Sequence, residues 1–211
     1  QQRNEAASKL NLSIKEIDQA HLYLHKAFTL NHNDCEICKD LGNTYHIKGD
    51  LKSAIIYYEK AISINSDFAP ALTNLGHLKL VKGEIKDALP LLIKATQCSP
   101  KLAQAWINLG ECYLQLKKNK ESLDACNMAI KVNPKLFKAY FIISKIFINE
   151  KNFEKAEIYI NKAITLNPYF ADSQLILGII LKALNKSTQA ELAFRKAIEI
   201  NEDSYKANFL L

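Results

Sequence analysis

The chain has 211 residues, 48% of them apolar, and a formal charge of +6. That is enough apolar material for a large buried core, and no run of about 18 apolar residues appears that could cross a membrane as a helix. Only Arg3 and Arg195 among the 28 basic residues are arginines; readers of bases and phosphates lean on the guanidinium fork, so the scattered lysines form a solubility coat rather than a nucleic-acid track.

Apolar residues recur at spacings of three and four along the chain, the helical period. The first segments, 3–14 and 17–30, are the least regular, with Arg3–Asn4 and Ala7–Ser8 where later segments carry larger apolar residues or glycine. Helices are then predicted at 36–48 and 51–64, joined at Gly49–Asp50, which supplies a left-handed residue and a helix start. The pair 70–82 and 85–98 turns at Gly83–Glu84. Pro70 suits a first helical turn, but Pro90 lies about six residues into its helix and predicts a late start or a kink. In 103–116 and 119–132, Trp106, Leu109, Gly110 and Tyr113 share one face, as do Leu123, Cys126, Ala129 and Ile130, before Pro134 stops the run. The pairs 137–150 with 153–166 and 171–184 with 187–200 follow, with Asn185 suited to a left-handed turn. Tyr205 opens the start of another helix. The chain therefore reads as a piece of a longer array, and thirteen helices are expected in all.

Rows of 34 residues fit without gap or insertion, at 1–34, 35–68, 69–102, 103–136, 137–170 and 171–204, with a partial row at 205–211. The seventh and eighth places read Leu41–Gly42, Leu75–Gly76, Leu109–Gly110, Ile143–Ser144 and Leu177–Gly178. The twentieth place is Ala20, Ala54, Ala88, Ser122, Ala156 and Ala190, and the twenty-seventh is alanine in all six rows. Antiparallel helices approach closely only where the crossing side chains are small, and glycine in mid-helix costs about 1 kcal/mol unless such contact repays it. The expected partners across these small places are large residues such as Tyr45, Trp106 and Tyr113.

This 34-residue pattern resembles the tetratricopeptide repeat family. The resemblance implies an all-α fold, a right-handed superhelical solenoid of antiparallel helix pairs, with six repeats and a partial seventh making one array over 1–211. It also implies that first helices line a concave surface that binds a peptide or partner segment, so that the chain is a non-enzymatic interaction scaffold. A second reading is the recruiting arm of a larger enzyme, for example a glycosyltransferase. Asn74 and Asn108 resemble part of the asparagine ladder in the superhelix of the O-linked N-acetylglucosamine transferase, whereas Asp40, Ile142 and Ile176 interrupt it.

The candidate groove comprises Lys39, Asn43, Asn74, His77, Gln104, Asn108, Phe141, Ile142, Lys145 and Ile176. It runs from polar to apolar, with Leu175 and Ile179 extending an exposed apolar end. Family members that hold a C-terminal carboxylate use a lysine and an asparagine one turn apart, an asparagine on the next first helix and two basic residues beyond. Lys39, Asn43 and Asn74 match the first three, but Gln104 and Asn108 stand where the two charges would be. Asparagine amides can instead bond both groups of an extended peptide backbone, with Phe141, Ile142 and Ile176 as the apolar anchor.

Other chemistry is thinly represented. Cys35 and Cys38 form a C-x-x-C with His32 before them and His46 nearby, but no strand precedes it as a redox site needs. His21 and His25 lie one turn apart without an evident third ligand. No nucleophile elbow, phosphate loop or dinucleotide fingerprint occurs. The expectation is thus no cofactor, metal, nucleic acid or membrane, a protein partner, and possible end-to-end self-association. An odd cysteine count at packing places fits free thiols in a cytoplasmic protein. On this reading EDTA leaves the melting temperature unchanged; a fall of several degrees that zinc reverses would make Cys35 and Cys38 structural ligands.

Overall fold

The structure, a computed structural model, describes residues 2–201, 207 and 210, and side chains from Lys15 onward. Among the described residues the regular elements are helices, without a strand. They are α1 (Gln2–Leu30), α2 (Cys35–Ile47), α3 (Leu51–Ile64), α4 (Ala69–Val81), α5 (Ile85–Cys98), α6 (Ala103–Gln115), α7 (Asn119–Val132), α8 (Phe137–Asn149), α9 (Phe153–Leu166), α10 (Ala171–Ala183) and α11 (Ser187–Ile200). The partial row from 205 lies largely outside the described residues.

Two compact units divide the chain, Gln1–Pro100 and Lys101–Leu211. In the first, α2 pairs with α3 and α4 with α5, while α3 packs on α4 and α1 on α2. In the second, the hairpins are α6–α7, α8–α9 and α10–α11, each stacked on the next. The first helices α6, α8 and α10 also touch one another in sequence.

The hairpin turns explain the register. Gly49 and Gly83 take φ of 81° and 78°, and Asn185 takes 59° at the same fifteenth place, as their residue types predict. Lys117 and Lys151 adopt φ of 59° and 58° there too, a conformation that costs a side-chain-bearing residue about 1–2 kcal/mol. Helix starts are capped where the preceding residue allows it. Asp34 accepts from the Glu36 and Ile37 amides at 2.9 and 3.2 Å, Asp50 from Ser53 at 3.1 Å, and Asn152 from Lys155 at 3.1 Å.

At every glycine-bearing crossing the small eighth place meets the twenty-fourth place of the same row. A Cβ on Gly42 would stand 2.5 Å from the Tyr58 ring, on Gly76 2.7 Å from Leu92, on Gly110 2.7 Å from the Cys126 sulfur, and on Gly178 2.4 Å from the Phe194 ring. The glycines thus admit these side chains onto the helix backbone, so the residues that fill the crossing are Tyr58, Leu92, Cys126 and Phe194. The twenty-seventh-place alanines Ala61, Ala95, Ala129, Ala163 and Ala197 are all 0% exposed. Ser122 replaces alanine at one twentieth place, and its hydroxyl donates to the Gly110 carbonyl at 2.7 Å, sealing its polarity inside the hairpin.

Two sequence expectations are corrected. Residues 3–30 do not form a helix pair, because α1 runs unbroken from Gln2 to Leu30. Continuation keeps every backbone bond, and the first row, with Arg3–Asn4 and Ala7–Ser8, offers less apolar surface to stabilise a turned-back helix. Of the late start or kink expected at Pro90, the late start is ruled out: α5 begins at Ile85 and includes Pro90. Pro90 and Lys86 are both exposed, so water can take up the carbonyl that the proline leaves without a partner. The crossing geometry predicts that Ala129→Leu and Gly178→Ala each lower unfolding free energy by about 1–3 kcal/mol in a denaturant titration. For glycine this outweighs a helix-propensity gain of about 1 kcal/mol.

Candidate interaction surfaces

In the first unit the candidate residues form a hydrogen-bonded cluster on α2 and α4. The Asn43 Oδ1 accepts from the Asn74 Nδ2 at 2.8 Å and from the Tyr58 hydroxyl at 2.9 Å. Asn43 Nδ2 in turn donates to Asp40 at 3.3 Å. Asn43 and Asn74 are half-buried, so each amide keeps an outward part beside its internal bonds. Tyr58 is fully buried in the α2–α3 crossing. Burial pushes its hydroxyl up to about 12, the Asn74 amide opposes this, and the Asp40 charge adds to it. The phenol therefore stays a neutral donor that fixes the Asn43 amide.

Lys39 is occupied by the acids beside it, with Glu36 at 3.0 Å and Asp40 at 2.7 Å. Burial lowers its affinity for a proton, but the bonds to Asp40 and Glu36 outweigh this and hold its pKa above the usual lysine value. A lysine neutralised by two carboxylates is a poor clamp for a third. His77 is half-buried, with its ring 6.3 Å from that of His46.

In the second unit Gln104 is exposed and donates to the Asn108 Oδ1 at 2.8 Å, whereas Asn108 itself is only 5% exposed. Phe141 is half-buried, edge-on to Phe170 at 5.3 Å. The Lys145 ammonium lies 5.6 Å over the Phe141 ring and 3.4 Å from Glu111, one row earlier at the same place. Ile176 is half-buried against the apolar core. Ile142 is 3% exposed and belongs to that core, and Leu175 is also buried, so the apolar end is narrower than its sequence suggests. The row places of both predict an outward side, but neighbouring helices cover them.

Two contributors are not marked by the sequence pattern in the same way. Tyr58 occupies the twenty-fourth place, where the other rows hold Leu92, Cys126, Ile160 and Phe194, and nothing in the period marks its hydroxyl. Phe170 stands just before α10 at the thirty-fourth place, where Phe68, Leu102 and Leu136 recur; that repetition is a usable signal that the groove residues alone do not include.

None of the five cysteines is in a disulfide; Cys38, Cys112 and Cys126 are buried, Cys35 is half-buried, and Cys98 is exposed rather than at the packing place its sequence position suggests. Burial raises the Cys38 thiol and pushes Cys112 and Cys126 up to about 11 and about 12, which keeps them protonated and inert as nucleophiles. His21 bonds Thr44 and His25 bonds the Tyr45 hydroxyl, both at 2.9 Å, tying α1 to α2. Among the described residues no group of three or more His, Cys, Asp or Glu is placed to hold a metal. No described helix is long and apolar enough to cross a membrane.

Hairpins of constant length, stacked within each unit and carrying polar amides on their first helices, define a helical-repeat protein-interaction scaffold. The chain belongs to the tetratricopeptide repeat family. Models described as tetratricopeptide repeat match residues 103–136, 137–170 and 171–204, and one described as TPR repeat matches 42–81. No curated protein matches the chain. Among solved structures, YrrB, described as a TPR protein with an unusual peptide-binding site, is 23% identical at a TM-score of 0.63, covering 88% of this chain and 96% of its own. Pseudomonas aeruginosa pilF is 20% identical at 0.78, covering 99% of this chain and 98% of its own. The Cut9–Hcn1 hetero-tetramer of the APC/C is 16% identical at 0.86, covering 95% of this chain and 40% of its own. These likenesses establish the fold.

The Tyr58 environment has an alkaline signature. Its folded pKa lies above the unfolded value near 10, so its contribution to stability is whole below pH 10 and is lost as pH rises through about 12. Absorbance titration should show a tyrosine ionising near the upper limit, and Tyr58→Phe should remove that step.

Proposed function

We propose that this chain is a non-catalytic cytoplasmic scaffold that binds an extended segment of a partner protein through its first helices. The observation that carries this reading is the Asn43–Asn74 pair. Two amides from successive first helices are joined side by side, oriented by a buried phenol, and still partly open to solvent. Such amides can bond a peptide backbone whatever its side chains, which suits recognition by main chain. In the second unit Phe141, Lys145 and Ile176 supply an apolar contact edged by charge, suited to an anchoring side chain. Asn108 and Ile142 support that surface from beneath. The likeness to YrrB, a TPR protein whose structure is described by its peptide-binding site, agrees with this use of the fold.

The pairing of Lys39 with Glu36 and Asp40 argues against a partner recognised by a free terminal carboxylate, because charge-assisted bonds to that group would have to break existing ones. An internal segment fits better. The reading is tested by selecting binding peptides from a displayed library of extended segments and measuring their affinity for variants. Asn74→Ala should weaken binding by about 1 kcal/mol through lost hydrogen bonds. Phe141→Ala should weaken it at least as much through lost apolar contact. Lys52→Ala, at an exposed site on α3, should leave affinity unchanged. Selected peptides that bind both groove variants as they bind the parent would overturn the assignment.

A further inference from the structure

In the second unit a groove of about 240 Å³ opens between α9 and α11. Glu157 of α9 stands on one side, Leu192, Ala193 and Lys196 of α11 on the other, and Gln174, Leu177 and Leu181 of α10 line the floor. These α10 residues occupy the fourth, seventh and eleventh places, on the side of the helix opposite the fifth, sixth and ninth. The groove is therefore distinct from the first-helix surface proposed to hold a peptide. Nor is it the face against which Leu210 packs, which lies on the other side of α11 at Ser187 and Glu191.

The groove exists because this row is underfilled. At the eleventh and twenty-third places Tyr45 stacks on Tyr57 at 5.3 Å and Phe147 on Tyr159 at 5.4 Å. Leu181 and Ala193 hold those places here and supply less volume. The seventh-place Leu41, Leu75, Leu109 and Ile143 are at most 4% exposed, whereas Leu177 is half-buried. The fourth place is Cys38, Leu72, Trp106 and Tyr140 in the preceding rows and Gln174 in this one. Gln174 is only 8% exposed, and among the described residues no hydrogen bond reaches its amide. It thus offers both a donor and an acceptor to whatever enters. The charges are unequal as well. Glu157 is taken by Lys186 at 2.9 Å, but Lys196 has no ion pair among the described residues. Lys94, at the same twenty-sixth place, is held by Asp67 at 3.0 Å; one row before Lys196 the place of Asp67 belongs to Tyr169, 83% exposed.

We infer that this groove is a second docking site, for a protein segment in which an apolar side chain stands beside an aspartate or glutamate. The apolar side chain enters over Leu177, Leu181 and Ala193, where its removal from water drives binding. The segment's backbone bonds the Gln174 amide, and its carboxylate meets Lys196 as Asp67 meets Lys94. Leu192, and Ile158 at the same place on α9, are 57% and 68% exposed and extend the apolar contact on both sides. The inference rests on α9, α10 and α11 and is independent of the first-helix reading.

The test is selection from a displayed peptide library on the full chain, discarding every peptide that also binds Ala193→Tyr. That variant fills the groove with a residue the twenty-third place already carries at Tyr57 and Tyr159, and circular dichroism and melting check that it folds. If it does not, Gln174→Leu takes its place as the discarding variant, since Leu72 holds the fourth place of another row. The surviving peptides should share an apolar residue with Asp or Glu beside it. Made synthetically, they should bind Lys196→Gln about threefold more weakly and Gln174→Leu about fivefold more weakly. No surviving peptide, survivors without the acid, or survivors indifferent to both Lys196→Gln and Gln174→Leu would each overturn the inference. Survivors whose binding is lost with Phe141→Ala would belong to the first-helix surface and would overturn it too.

Discussion

The close approach of two helices at a residue without a side chain is the constraint on which these hairpins depend. Gly42, Gly76, Gly110 and Gly178 each leave room for the large or polarisable group four places after the buried alanine or serine of the opposing helix. Glycine is a poor helix residue, so its placement is justified only by the side chain that enters the space. Once the crossing is fixed, the first helix of each row has a defined rotation, and its fifth, sixth and ninth places acquire a defined direction. The Asn43–Asn74 bond follows from that: it joins the ninth place of one row to the sixth of the next. The same crossing also seats Tyr58, so one contact both closes a hairpin and orients the amide proposed to meet a peptide.

The hairpin order was legible in the chain because it depends on a repeated volume. Alanine at the twenty-seventh place and glycine at the eighth stand out without any structure, since a small residue that recurs in mid-helix marks a close helix approach. The turns were legible where glycine or asparagine stood, but not at Lys117 and Lys151, where tertiary packing imposes the left-handed conformation on a residue that resists it. The unbroken α1 was not legible, because the 34-residue register carries a row across 1–34 whether or not the helix turns. The start of α5 was not legible from Pro90 either: the helix begins at Ile85 and keeps the proline within it, on a stretch where Lys86 and Pro90 are both exposed.

The surface was only partly legible. Periodicity assigns a residue to a side of its helix but says nothing of how far the neighbouring helix covers that side. Ile142 and Asn108 sit at the same sixth place as Asn74, yet they are buried while Asn74 is half open. Phe141, one residue before Ile142, faces Phe170 and Lys145 and remains accessible. The Lys39 ion pairs also depend on rotamers that no sequence pattern specifies.

The most direct test of size complementarity is the coupling between the two sides of one crossing. A Cβ on Gly76 would lie 2.7 Å from both Cγ and Cδ2 of Leu92. Gly76→Ala, Leu92→Ala and the double variant therefore form a cycle read by equilibrium unfolding. If the crossing is held by size complementarity, the double variant loses less stability than the sum of the two single variants, by about 1 kcal/mol or more. Simple additivity of the two losses would show that Gly76 and Leu92 act independently and would contradict the dependence of the hairpin on this crossing.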